Sequence, residues 1–204
     1  MTDALYEQAT LWPIQLVLPT KQGLTLWGSG GEPDGVDRLL VVDGTLVLLA
    51  SEFALRTFVA NDHTSSLARL PGYDQLRRAW QPPAGTALSA STIDLVAASM
   101  ALSQPVDSWT LEDCDEVLTA LNMLFDIAGA LGDATMRERF HTGVYRELLD
   151  RLTFIKADRI GPTLAGIDTR AIVTVLLSDL TRVDHATMLL GEPSPPRPDG
   201  ERAG

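Results

Sequence analysis

Over the first fifty residues, apolar side chains fall at every second position or in short unbroken runs; beyond that they recur every third or fourth position. Side chains alternate faces along a strand and share a face at i, i+3 and i+4 on a helix, so the first pattern predicts strands and the second helices. Residues 14–18 and 24–27 read as strands joined by a turn at 19–23, and 28–35 reads as a loop from its glycine and proline content. Residues 38–42 and 45–49 flank Asp43-Gly44. An Asp-Gly pair between two β-prone runs signals a hairpin, because both residues accept positive φ. Both faces of this hairpin are apolar, which predicts central strands covered by helices or by another chain.

After the hairpin, Ser51 is a good N-cap for a helix whose stripe is Phe53, Leu55 (or Ala54) and Phe58, ending near Asn61-Asp62. Pro71-Gly72 breaks the chain before a short helix at 73–80. Gln81-Pro82-Pro83-Ala84-Gly85 marks a subdomain boundary, since consecutive prolines cannot continue a helix. A helix from about Ser91 to Ser103 stops before Pro105. Thr110 and Asp113 start the clearest helix with a capping-box pattern, and Cys114, Val117, Leu118, Leu121, Phe125, Ala128 and Leu131 form its stripe. Gly132 sits at the C′ position. Asp133 caps a following helix with stripe Met136, Phe140, Val144, Leu148 and Leu152, close enough to pack antiparallel on its predecessor. Gly161-Pro162 is a further break, and Asp168 caps a last helix through Ile172, Val175, Leu176 and Leu180. The Pro-rich sequence from Gly191 predicts a disordered tail. The fold class is α+β: a small antiparallel N-terminal sheet with packed helices, followed by a mostly helical C-terminal half. The expected parts are a β-rich 1–80, a helical 86–190 packed on it, and the tail 191–204.

Composition narrows the function classes. The chain has 204 residues, 45% of them apolar, which is enough for a sizeable core. Its apolar runs fall far short of the roughly 18 residues of a membrane span. Residues 1–10 carry Asp3 and Glu7 without Lys or Arg, unlike a signal peptide. The lone Cys114 excludes an internal disulfide and a multi-cysteine zinc site. A net charge of −11 argues against nucleic acid as a partner. The expectation is a soluble, cytoplasmic bacterial protein with no membrane contact and no cofactor. Two lysines, Lys21 and Lys156, among sixteen basic residues point to a GC-rich, actinobacterial-like genome.

The charge is unevenly placed. Between Trp80 and Met136 there is no Lys or Arg, while Asp94, Asp107, Glu112, Asp113, Asp115, Glu116, Asp126 and Asp133 all fall there. Glu112, Asp113, Asp115 and Glu116 crowd one helix N-terminus and are the candidate partner-binding residues. Two readings stand together. Acids complement the helix macrodipole by about 0.3–1 kcal/mol each, and an acidic patch steers a basic partner.

No specific catalytic constellation is present. His63, His141 and His185 lie far apart and form no HxxxH, HExxH or HxH pair, so metal-ligand spacing is absent. Cys114 sits where a helix N-terminus lowers a thiol pKa, but Asp113 and Asp115 oppose that, and it fits the apolar stripe. There is no GxSxG, and the glycines at 28–31 lack the Lys-Ser/Thr of a phosphate loop. Trp12, Trp27, Trp80 and Trp109 lie at element ends as core or interface anchors.

Two strands, a Gly-rich loop, a hairpin at Asp43-Gly44 and then Leu48-Leu49-Ala50-Ser51-Glu52-Phe53-Ala54-Leu55-Arg56-Thr57-Phe58 resemble the N-terminal domain of SseB-type bacterial proteins over residues 10–60. That resemblance implies a binding or accessory role and brings no catalytic residue. The favoured function is a non-enzymatic acidic interaction module, immunity-like or a secretion accessory, that binds a basic protein. The alternative is a small-molecule enzyme with a pocket between sheet and helices, using His63 with Asp62, or His141. A homodimer joined through the two-sided hairpin is compatible with either.

Overall fold

A computed structural model describes residues 11–28, 38–70, 72–80 and 88–191. The readings made for 1–10, 29–37, 81–85 and the chain beyond Gly191 lie outside the described residues. Strands β1 (Leu11–Val17) and β2 (Gln22–Gly28) form an antiparallel pair from Leu11 opposite Gly28 to Val17 opposite Gln22. The Asp43-Gly44 turn has φ of 49° and 75°, the positive values expected of those residues. It joins β4 (Val41–Val42) to β5 (Thr45–Leu49), with Val42 opposite Thr45. The run 38–42 changes partner within itself. Its first part, β3 (Arg38–Leu39), pairs with β2, Leu39 facing Trp27. Leu40 then bridges the two, donating its N–H to Leu26 and accepting at its carbonyl from Val47.

The sheet is mixed where an antiparallel one was expected. β6 (Ser91–Asp94) lies parallel to β1, and β7 (Thr187–Leu190) parallel to β5. The order is β4-β5-β2-β1-β6, with β3 on β2 and β7 on β5. Helices dominate the second half, and the fold is α+β. Among the described residues, no single helix is long and apolar enough to cross a membrane.

Several helix boundaries differ from the sequence reading, each for a local reason. The helix expected from Ser91 begins only at Leu95: Asp94 caps α3 (Leu95–Leu102) by accepting from the N–H groups of Val96 and Ala97, and the β-prone Ser91-Thr92-Ile93 run joins the sheet instead. In α1 (Glu52–Asn61) Ser51 caps as expected, but Ala54, Leu55 and Val59 are buried while Phe53 is 55% exposed. The helix is turned by one residue from the predicted stripe. The single helix expected from Asp133 to Leu152 is two, α5 (Ala134–His141) and α6 (Val144–Leu152). A Cβ on Gly143 would sit 2.6 Å from the Arg139 Cα, so the bend between them needs glycine. Gly161 and Pro162 do not break the chain but lie in the first turn of α7 (Ile160–Leu164), where proline costs no helix hydrogen bond. The remaining helices are α2 (Tyr73–Ala79), α4 (Leu111–Ala130), which carries the expected capping box, and α8 (Thr169–His185), capped by Asp168. Gly132 after α4 has φ 68°, as a C′ glycine should.

The core has two parts. Ile14, Leu16, Leu39, Leu46 and Leu48 pack with residues of α3 to α8. Leu11, Leu26, Leu40, Val47 and Leu49 pack with α1, α2 and the 3₁₀ turn Ser66–Arg69. Consecutive strand residues alternate between the two clusters, so the sheet is covered on both faces by its own chain. Both faces of the two-sided hairpin are therefore packed against the chain's own residues.

Within the larger cluster, Asp179 of α8 is fully buried. It pairs with Arg139 of α5 and accepts from the Tyr145 hydroxyl of α6 at 2.7 Å, joining three helices. Removing the acid strands a cation and a phenol next to apolar side chains. We expect Asp179→Ala to lower the unfolding free energy by about 3 kcal/mol and Tyr145→Phe by about 1–2 kcal/mol, read from urea midpoints at neutral pH.

Candidate functional site

α4 crosses one face of the sheet, with its N-terminal end at β6 and its later residues near β3. Its start is fixed by Thr110: the hydroxyl accepts from the Asp113 N–H at 3.1 Å, and the Asp113 carboxylate accepts from the Thr110 N–H at 2.7 Å. The Thr110 hydroxyl also donates to that carboxylate at 2.6 Å, and this bond first, then the one from the Thr110 N–H, holds the Asp113 carboxyl below the usual carboxylate range. Of the four candidate acids, Asp113 is thus engaged in the helix cap. The other three, Glu112, Asp115 and Glu116, line a groove of about 400 Å³ between α4 and β6, together with Thr92, Ile93, Asp94 and Thr119.

Asp94 belongs to this site although the sequence reading placed it inside a helix. Its carboxylate holds the α3 N-terminus and borders the groove at the same time. Only a strand assignment for Ser91–Asp94 would have revealed it. Glu116 is half-buried, and its carboxyl is pushed up by burial first and then by Asp94, Asp113 and Glu112. No basic group enters into that balance. Every ion pair of Lys21, Arg77, Arg139, Arg146, Arg151 and Arg182 is made elsewhere, with Asp184, Asp74, Asp179, Asp150, Glu147 and Asp133 respectively. The acids are nevertheless dispersed: among the described residues, no group of three His, Cys, Asp or Glu converges as a metal site.

The catalytic candidates are not brought together. Asp62 is buried at the C-cap of α1, where it accepts from the N–H groups of Thr64 and Ser65 and from the hydroxyls of Ser65 and Tyr73. Burial opposes its ionisation, but these hydrogen bonds outweigh it and hold the carboxyl below its ordinary value. His63 is exposed and touches the Arg77 guanidinium instead of Asp62. His141 is exposed, with its ring edge-on to Phe125. Cys114 is fully buried in the core, and burial, then Asp113 and Asp115, push its thiol up, away from a reactive thiolate. Trp12 and Trp27 face each other across β1 and β2 with ring centroids 5.0 Å apart, and the Trp27 indole donates to Asp126 of α4. Trp80 and Trp109 are buried anchors.

The model of the SatS C-terminal domain matches residues 11–156. The chain belongs to the SatS C-terminal domain family. The SseB-type resemblance expected of residues 10–60 is not shown by this match. A crystal structure of the SatS C-terminal domain in complex with bromine superposes with a TM-score of 0.66 at 20% identity, over 91% of this chain and 96% of that one. At that identity it shares the fold. No curated protein matches the chain. In SatS-type terms, the family match covers the sheet except β7 and the helices up to α6, so β6, α4 and the groove lie within it.

The groove makes a pH-dependent demand on stability. A carboxyl whose pKa is higher in the folded than in the unfolded chain favours folding while protonated, and that favour disappears as pH rises through the folded value. Glu116 is such a group. Glu116→Gln should therefore raise the thermal midpoint at pH 7 and leave it unchanged at pH 3, with the gain shrinking in high salt. Scanning calorimetry across this pH range checks it.

Proposed function

We propose that the chain is a non-enzymatic interaction module whose α4–β6 groove receives a basic segment of another protein. The observation that carries this is the joining of Asp94, remote in sequence, with Glu112, Asp115 and Glu116 around one groove to which, among the described residues, no cation contributes. Carboxylates pressed together without a counter-charge cost stability, and a protein keeps such an arrangement where binding uses it. Their dispersal along the groove suits several Lys or Arg side chains better than one metal ion. Asp113 contributes to the field but not to direct contact, since its carboxylate is held by Thr110. Charge of this kind acts mainly on association rate and on partner selection, and it weakens with salt. The buried state of Asp62 and Cys114 and the contact of His63 with the Arg77 guanidinium give the small-molecule enzyme reading no specific support.

The test uses a fluorescent octalysine peptide and anisotropy at low salt. We expect saturable binding that weakens as salt rises, and a loss of at least tenfold in affinity in the triple variant Glu112→Gln, Asp115→Asn, Glu116→Gln. The matched control neutralises three exposed acids elsewhere, Glu138, Asp158 and Asp168, and should retain most of the affinity. Equal affinity of the two triple variants would overturn the assignment of the groove.

A further inference from the structure

The groove has a second wall whose chemistry is not charge. β6 ends the sheet: β1 pairs with one side of it, and among the described residues no strand pairs with the other. Ser91 and Thr92 are exposed. The outward N–H and C=O groups of a terminal strand are ready to pair with another chain, and proteins blunt such edges with Lys, Pro, bulges or a covering element. β6 carries no Lys, Pro or bulge, and its Ser-Thr-Ile-Asp sequence favours extended backbone. The sheet's other outer strands differ: along Arg38–Val42 the Ser66 hydroxyl accepts from the Val41 N–H and donates to the Leu39 carbonyl, and β7 exposes the apolar side chains of Met188 and Leu189. Among the described residues, it is at β6 that an edge without a second strand partner meets the carboxylates of the groove.

These two features call for the same occupant. A strand added to a sheet edge alternates its side chains between the two faces, so every second residue points to the face that α4 covers. At β6 that face presents Glu112, Asp115 and Glu116. A helical basic segment would satisfy the carboxylates but leave the edge unpaired. An extended segment with Lys or Arg at alternate positions satisfies both.

Building on the interaction-module reading, we propose that the partner's basic segment binds as an added β-strand, pairing its backbone with Ser91–Asp94 and directing alternate Lys or Arg side chains at Glu112, Asp115 and Glu116. Affinity then comes from main-chain hydrogen bonds and selectivity from the charges, the division usual in strand addition. Asp94 stays at its cap of α3, at the end of the pairing edge.

The experiment compares two synthetic octapeptides of equal charge, (Lys-Thr)₄ and (Lys-Pro)₄, against the full chain. Proline removes every second backbone donor and resists strand pairing. The expected result is at least tenfold tighter binding of (Lys-Thr)₄, with slowed amide hydrogen exchange in residues 91–94 only for that peptide. Equal affinities with no protection at 91–94 would overturn strand addition while leaving the electrostatic groove standing. Failure of both peptides to bind at low salt would overturn the groove reading itself, and this proposal with it. A variant of the protein, Thr92→Pro, gives a second measurement: if it folds, it should lose the preference for (Lys-Thr)₄ and bind both peptides alike.

Discussion

Everything in this molecule is arranged around β5, a five-residue strand with no polar face. Leu46 and Leu48 go to the larger cluster, and Val47 and Leu49 to the smaller one. Such a strand is stable only if both sides are covered and both edges are paired. The chain meets each demand with a different segment. α1 and α2 cover one face and the long C-terminal helices the other, while β4 and β2 share one edge and β7 takes the second. The helical half is thus not an addition to a finished sheet. It supplies half of the core that the strands require, and β6 and β7 come from it or from its threshold.

Local chemistry was legible in the sequence wherever one residue decides the geometry. Asp43-Gly44, Ser51, Thr110 with Asp113, Gly132, Asp133 and Asp168 each occupy the turn or cap position their side chains favour. Legibility failed where the deciding partner is distant. Ser91–Asp94 is too short to show a period, and its strand character comes from β1, more than seventy residues earlier in the chain. Thr187–Leu190 has the same problem with β5. The break at Gly143 was hidden because Phe140 and Val144 keep the four-residue step across it. Three of the four acidic residues chosen from charge density do line one groove, and the fourth is a cap that the capping-box spacing already announced. What charge density could not supply was Asp94, since its place in the groove is a property of the sheet and not of the acidic run.

The acids play different parts: Asp74, Asp133, Glu147 and Asp150 each sit in an ion pair. Asp62, Asp179 and Asp184 are buried and fully occupied, and each ties together segments remote from one another. At the start of α4, Asp113 is held by the cap, Glu112 and Asp115 are exposed and Glu116 is half-buried, and the last three take part in none of the ion pairs described above. The large negative charge is therefore not a diffuse solubilising coat. Part of it is structural cement and part of it is a field concentrated at one end of one helix, where the macrodipole lessens the repulsion but does not neutralise it.

The contact between the two ends of the chain has a bearing on how the protein is made. Asp184 accepts hydrogen bonds from the N–H and hydroxyl of Thr20, which lies 164 positions earlier, and its neighbouring strand β7 closes the second edge of β5. The hairpin emerges early in synthesis, yet its open edge is satisfied only after almost the whole described chain has left the ribosome. At about 5–20 residues per second, that is an interval of many seconds in which an apolar strand with an unpaired edge is present. Contacts of such long sequence separation also form late in refolding, because the intervening loop must be closed first. A nascent chain of this design depends on its first helices to shield β5 on one face, and its vulnerable period ends with the arrival of four residues, Thr187 to Leu190.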